Sequence, residues 1–232
     1  GMWSVAFTDA FQMSLIIIGM VYIAWVIAGD AGGAQVVIQH ASDAGKLRFF
    51  PEPTLAAWLG FVGMGVTIMF GSIPQQDVFQ RVMSARSENT SVAGAVIGGS
   101  LYFFLAFIPM FLVYAAQIVD PAMFTALIGE DSQLILPRLI LDHTPIFAQV
   151  LFFGALLSAI MSTASGTLLA PSITLTENII REMFPMNDQQ LLLTTRIVVV
   201  CFTIVVTTFA LLSQGMPIYE MVGNSYKVPL VG

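Results

Sequence analysis

Apolar residues fall into long runs separated by polar punctuation. The first run covers residues 10–29 and reads FQMSLIIIGMVYIAWVIAG from Phe11, about the length that crosses a hydrocarbon core as a helix. The second, 54–73, is glycine-rich, with Gly60, Gly63, Gly65 and Gly71. The third, 91–119, is long enough to span with tilt, and Pro109 near its middle predicts a kink. The fourth covers 146–180 and the fifth 197–212, and a sixth begins near Ile218 and runs to residue 232. The pattern predicts an all-α polytopic chain, a single transmembrane domain with five complete spans and the start of a sixth. KVPLVG stops inside that sixth run, so the sequence reads as a piece of a longer protein.

The connections differ in character. Residues 30–53 carry GDAGGA, SDAGK and PEP, a composition that predicts irregular, wet chain. Residues 120–145 are acidic, with Asp120, Glu130, Asp131 and Asp142 against Arg138. LILPRLILD within them is apolar but too short to span, which predicts a surface helix. Arg81, Arg86, Arg181 and Arg196 lie on one side of the expected membrane and Lys46, Arg48 and Arg138 on the other. This four-to-three bias favours a cytoplasmic connection between the second and third runs and an outside acidic loop.

Composition agrees with the pattern. Apolar residues make up 57% of the 232 and charged residues 9%, against about 25% charged in an ordinary soluble domain. The chain is therefore expected in a lipid bilayer, as an integral membrane protein. The net charge of −6 without a basic patch argues against nucleic acid as a partner. Cys201 stands alone in an apolar run and reads as a small hydrophobe, so no disulfide framework is expected. His40 and His143 have no Cys, Asp or Glu at ligand spacing, so no metal other than Na⁺ is expected. GxSxG, HExxH, a Walker loop and a Ser–His–Asp set are all missing, which argues against an enzyme and against an organic cofactor. No feature specifies an oligomeric state.

Candidate chemistry concentrates in the fourth run. GALLSAIMSTASGTLLAPSITLTEN, residues 154–178, carries Ser158, Ser162, Thr163, Ser165 and Thr167 within ten positions. Ala159, Ser162 and Thr163 are spaced i, i+3, i+4 and share one helix face. Two hydroxyls, and a carbonyl left reachable by the small alanine, offer three oxygens to a hard cation such as Na⁺. The alternative is a small-residue packing face whose hydroxyls bond back to carbonyls one turn earlier. Pro171 should free the Thr167 carbonyl and bend the helix under either reading. In the second run, Gly71-Ser72-Ile73-Pro74 reads as a helix break, where transporters bind substrates, or as an ordinary kink or helix end. Ile68, Gly71, Ser72 and Pro74 are the candidate substrate-lining residues there. Asp9 is either a costly, functional intramembrane carboxylate or an interface residue.

Three segments together resemble the sodium:solute symporter family. GMWSVAFTDAFQ at residues 1–12 is similar to the family's G-(M/L)-x-A-V-x-x-T-D-x-x-Q helix start. GSIPQQDVFQRVMSARS at 71–87 is similar to the segment ending Q-R-x-(L/M)-(A/S)-A-(K/R)-(S/N). LLSAIMSTASGTLLAPSITLTENI at 156–179 is similar to the A-x-M-S-T-x-(S/A) helix ending in T-E-(D/N). YEMVGNSYKVPLVG at the end resembles the start of the next core helix. The resemblance implies a leucine-transporter-like core of two inverted five-helix repeats, of which this chain holds about core helices 5 to 9 and the start of 10. It implies a sodium site between the first and eighth core helices, with the Ala159 carbonyl and the Ser162 and Thr163 hydroxyls as the eighth-helix ligands. The first-helix ligands are then missing, so the fragment alone should bind Na⁺ poorly. Asp9 matches a carboxylate implicated in sodium passage. Ile68 and Ser72 stand where members carry a large polar or aromatic substrate contact, which argues against a sugar or proline-like pocket. The expected function is sodium-coupled symport of a small organic solute. The alternatives are a proton-coupled carrier using Asp9, or a transporter-like sensory module of a signalling protein.

Overall fold

The computed structural model describes residues 2–71, 73, 82–213 and 215–231, and the side chains of these except 2–5, 130 and 228–231. Ser72 and Pro74, two of the expected residues at the helix break, lie outside the described residues. Helices carry the described residues: α1 (Met2–Asp30), α2 (Ala34–Asp43), α3 (Leu55–Gly71), α4 (Glu88–Leu105), α5 (Phe107–Val119), α6 (Pro121–Glu130), α7 (Ile135–His143), α8 (Ile146–Leu175), α9 (Asp188–Leu212) and α10 (Ile218–Val231). By length and composition, four stretches suit a membrane crossing: Ala6–Asp30, Glu88–Val119, Ile146–Met183 and Asp188–Leu212.

Local chemistry explains the interruptions. Pro109 has no amide hydrogen to offer the Leu105 carbonyl, and the helix breaks at Ala106, dividing the third run into α4 and α5. The chain passes from α1 to α2 through Gly32 and Gly33, at φ +86° and +118°, conformations open to glycine at little cost. Asp120 caps α6: its carboxylate accepts a hydrogen bond from the Met123 amide at 2.9 Å, and Pro121 occupies the first helical position. Asn187 and Gln190 form a reciprocal capping box at the start of α9.

The described residues fall into two compact units, 1–50 with 92–160, and 51–91 with 161–232. The core of the first gathers at one end of its long helices. Ile23 and Ile27 of α1 and Leu112, Ala115 and Ala116 of α5 are fully buried there, with Val37 of α2 and Leu139 and Ile140 of α7. Here the structure departs from expectation. The 30–53 connection contains a helix with Val37 and Ala41 buried on one face. The 134–142 segment also packs into the core through Ile135, Leu139 and Ile140 instead of lying on the surface. Both are short amphipathic helices that find an apolar partner within the unit, a tertiary gain that composition does not register. Polar ties finish the assembly: His40 Nε2 pairs with Gln117 Oε1 at 2.9 Å, and the Gln149 amide donates to the carbonyls of Leu141 and Thr144.

In the second unit α3 crosses α10 at Gly71. A Cβ at that position would stand 2.5 Å from the Tyr226 carbonyl oxygen, so the two backbones can meet this closely only because residue 71 has no side chain. The same unit buries Ala170, Ser172 and Thr176 of the α8 region, and Val198 of α9. Beyond Pro171, α8 runs to Leu175 and then loosens into a π turn, Thr176–Ile180.

Two stability predictions follow from these contacts. Gly71→Ala in the full-length protein should cost about 1–3 kcal/mol through overpacking, seen as a lowered Tm in detergent. Gly63→Ala, which meets nothing within 4 Å, should leave Tm unchanged or raised. Asp120 is held below the usual carboxylate range, first by the Met123 amide and then by the side chain of His143, whose Nε2 lies 3.3 Å away. Its stabilisation is therefore fully present above about pH 4 and lost as pH falls through the lowered folded value. Acid melting of the α5–α6 corner, followed by hydrogen exchange of the Met123 amide, should be less steep in Asp120→Asn, which keeps an acceptor for that amide but carries no charge.

Candidate cation site

Ala159, Ser162 and Thr163 all lie in α8, well before Pro171, where the helix is regular. Their i, i+3, i+4 spacing therefore places them on one face. Ala159 and Ser162 are half-buried and Thr163 is exposed. Within the first unit, Ala159 lines an apolar groove of about 420 Å³, with Ile16, Ile17 and Met20 of α1 and Leu105 and Pro109 beside the α4–α5 break.

The hydroxyls of this helix behave in two ways. Toward its end they satisfy themselves: Thr167 Oγ1 donates to the Thr163 carbonyl at 2.9 Å, Ser172 Oγ to Leu168 at 2.6 Å, Thr174 Oγ1 to Ala170 at 3.1 Å and Thr176 Oγ1 to Ser172 at 2.7 Å. That is the packing-face alternative, realised for these four. Among the described residues no such bond ties Ser158 Oγ, Thr163 Oγ1 or Ser165 Oγ, so all three retain a donor as well as lone pairs for an outside partner. Pro171 lacks an amide hydrogen, which leaves the Thr167 carbonyl without its usual donor at i+4.

The remaining candidates are more scattered. Asp9 lies inside α1 and inside the membrane-length stretch Ala6–Asp30, half-buried. The helix begins several residues before the apolar run, so Asp9 is a helical residue and not part of a leading loop. Ile68 is exposed on α3, and Gly71 is buried against Tyr226. His40 and His143 are held by Gln117 and Asp120. Among the described residues no group of three or more His, Cys, Asp or Glu side chains could hold a metal ion.

Gln12, the last position of the T-D-x-x-Q match and given no role there, lies with Thr8 and Ser158 among the mainly apolar residues that line a second opening of the first unit, about 400 Å³ in volume. The signal was present: Thr8 and Gln12 are four residues apart and share a face of α1.

The profile of the sodium:solute symporter family matches residues 1–228. The chain belongs to the sodium:solute symporter family. It is accordingly an integral membrane protein with a leucine-transporter-like fold, all-helical where described. It is 24% identical to the high-affinity choline transporter 1 of Caenorhabditis elegans over 93% of this chain and 39% of that protein. It is 28% identical to the human high affinity choline transporter 1 over 92% of this chain and 38% of that protein. To the sodium/glucose cotransporter 4 of Danio rerio it is 23% identical over 85% of this chain and 35% of that protein. The chain thus spans between a third and two-fifths of the length of these curated relatives. No solved structure matches it.

Proposed function

We propose that this chain is part of a sodium-coupled symporter that drives uptake of a small organic solute. The observation that carries the reading is the family match along nearly the whole chain. The exposed Thr163 hydroxyl, one face with Ser162 and the Ala159 carbonyl, supports it. In this reading α1 is the fifth core helix and α8 the eighth, and Ala159, Ser162 and Thr163 supply three sodium ligands. The rest come from a part of the protein outside this sequence. Ile68, Gly71, Ser72 and Pro74 border the solute. Asp9 lies on the sodium path, where a carboxylate inside a membrane helix has a use that offsets its cost. The bilayer is a cytoplasmic membrane, where a sodium gradient and a membrane potential both point inward.

One Na⁺ moving inward through 100 mV contributes about 2.3 kcal/mol, or roughly 50-fold solute accumulation before any concentration term. Sodium binding favours the outward-open arrangement, and its release inside lets the helical bundle rock back. Relatives named for choline, glucose and mannose set the range of solutes to test.

Radiolabelled uptake by the full-length protein in proteoliposomes is the direct test, using quaternary amines, sugars, amino acids and carboxylates. Accumulation of one solute class should need an inward Na⁺ gradient and disappear with K⁺ in its place. Sodium-independent accumulation, or none, would sink the symport reading. In the same assay Ser162→Ala and Thr163→Ala should each raise the sodium concentration for half-maximal uptake about tenfold, the equivalent of about 1.4 kcal/mol. Unchanged values in both would remove these two residues from the site. Asp9→Asn should slow uptake or weaken its sodium dependence, and unaltered kinetics would make Asp9 an interface residue.

A further inference from the structure

The chain has eight lysines and arginines, and seven of them sit in connections or at the ends of the apolar runs. Lys227 is the exception, inside the sixth run. α9 is a membrane-length helix that ends at Leu212, and residues 213–217, turned by Gly215 at φ +89°, return the chain into α10 at Ile218. At about 1.5 Å per residue, Lys227 lies about 13 Å along α10 from that start, near the middle of a hydrocarbon core about 30 Å thick. A charge at that depth is costly, and residues of this kind face a polar partner or a wet cavity.

Within the chain the partner is neutral. Lys227 Nζ donates to Asn224 Oδ1 at 2.9 Å, and among the described residues no carboxylate lies within ion-pair reach. Glu220 is two turns away, about 10 Å along the axis. An ammonium has three donors, and the Asn224 oxygen takes one. Glu220, Asn224 and Lys227 are spaced i, i+4, i+7, so they form one polar stripe on α10, and all three are exposed. The residue before Lys227 fixes where that stripe lies. The Tyr226 carbonyl oxygen would stand 2.5 Å from a Cβ at Gly71, so α10 is held against the last residue of α3. Ile68, one turn before Gly71, is apolar and exposed.

We propose that Lys227 is the subsite for an anionic group of the solute, and that the solute is a small carboxylate whose apolar part lies toward Ile68. The proposal rests on the sodium-coupled reading above and on its placement of the solute at the end of α3. A carboxylate takes the donors that Asn224 leaves free and supplies the opposite charge that Lys227 lacks within the described chain. Asn224 is a positioning residue: it orients the ammonium without neutralising it. A quaternary amine such as choline, named for several relatives, brings a second positive charge to the same place and is repelled. A sugar leaves the ammonium uncompensated.

The test is uptake by the full-length protein in proteoliposomes under an inward Na⁺ gradient. Labelled propionate, pyruvate and lactate are the carboxylate probes, and choline and glucose are the probes without one. At least one carboxylate should accumulate and choline and glucose should not. Unlabelled propionate should compete for that uptake and propionamide should not. Lys227→Gln should raise the half-saturating carboxylate concentration about tenfold, the loss of one charge-assisted hydrogen bond, and Lys227→Arg should restore most of it. Asn224→Asp sets a carboxylate against the ammonium in place of the solute and should weaken uptake in the same way. It is read with Tm in detergent as the check on folding, and it carries the test if Lys227→Gln does not fold. Accumulation of choline or glucose, accumulation of no carboxylate, or an unchanged half-saturating concentration in both variants would overturn the proposal. Failure of the parent reading shows separately, as carboxylate uptake that persists with K⁺ in place of Na⁺.

Discussion

A polar group on a helix in hydrocarbon has no water to fall back on, and this constraint shapes nearly every side-chain hydrogen bond in the long helices. Serines and threonines meet it by folding back on their own helix: Ser14, Thr67, Thr167, Ser172, Thr174, Thr195, Thr203 and Thr208 all donate to the carbonyl four residues earlier. A hydroxyl so bonded is inert toward lipid. Against this background the groups that do not fold back stand out. Among the described residues they are Ser158, Thr163 and Ser165 on α8, Gln12 on α1, Ser100 on α4 and Thr207 on α9. The same rule that makes most hydroxyls structural makes these few chemically available.

The first unit solves a different problem. Its long helices bury little of themselves against one another: of its most apolar membrane-length window, Glu88–Val119 buries 6%. The tight packing sits at one end, where α2, α6 and α7 close over α1 and α5. Asp120 links two of these pieces, ending α5, opening α6 and holding His143 at the end of α7. α1 and α8 also approach each other at Gly19, where an added Cβ would stand 3.5 Å from the Leu151 side chain.

Much of this was legible in the sequence, and the remainder was illegible for identifiable reasons. Each long apolar run holds helix, because twenty apolar residues leave the backbone no other way to satisfy itself in lipid. The Pro109 kink was legible and falls at Ala106, as a missing amide demands. The short helices were hidden differently. α6 had a readable signal in Asp120-Pro121, a cap followed by the residue best suited to a first turn. α2 had almost none, since AQVVIQHASD is half polar and gains its helix from Val37 and Ala41 meeting a core assembled from elsewhere in the sequence. At the candidate site, spacing alone placed Ala159, Ser162 and Thr163 on one face. It could not tell which hydroxyls bond backward, because Thr163 and Thr167 look alike in sequence and differ only in which atoms lie within reach.

The π turn at Thr176–Ile180 has a consequence for how α8 is built. A π turn holds one residue more than the α-helical turn it replaces, so it shifts everything after it by about 100° around the axis. Thr176 is buried at its start, and Glu177 reaches Arg181 across it at 2.6 Å. The last segment of this long helix therefore presents a different side from the one an unbroken helix would present. The extra residue acts as a built-in phase change: Ser172 and Thr176, before it, are buried, and Arg181, beyond it, is carried about 100° further round the axis than an unbroken helix would place it.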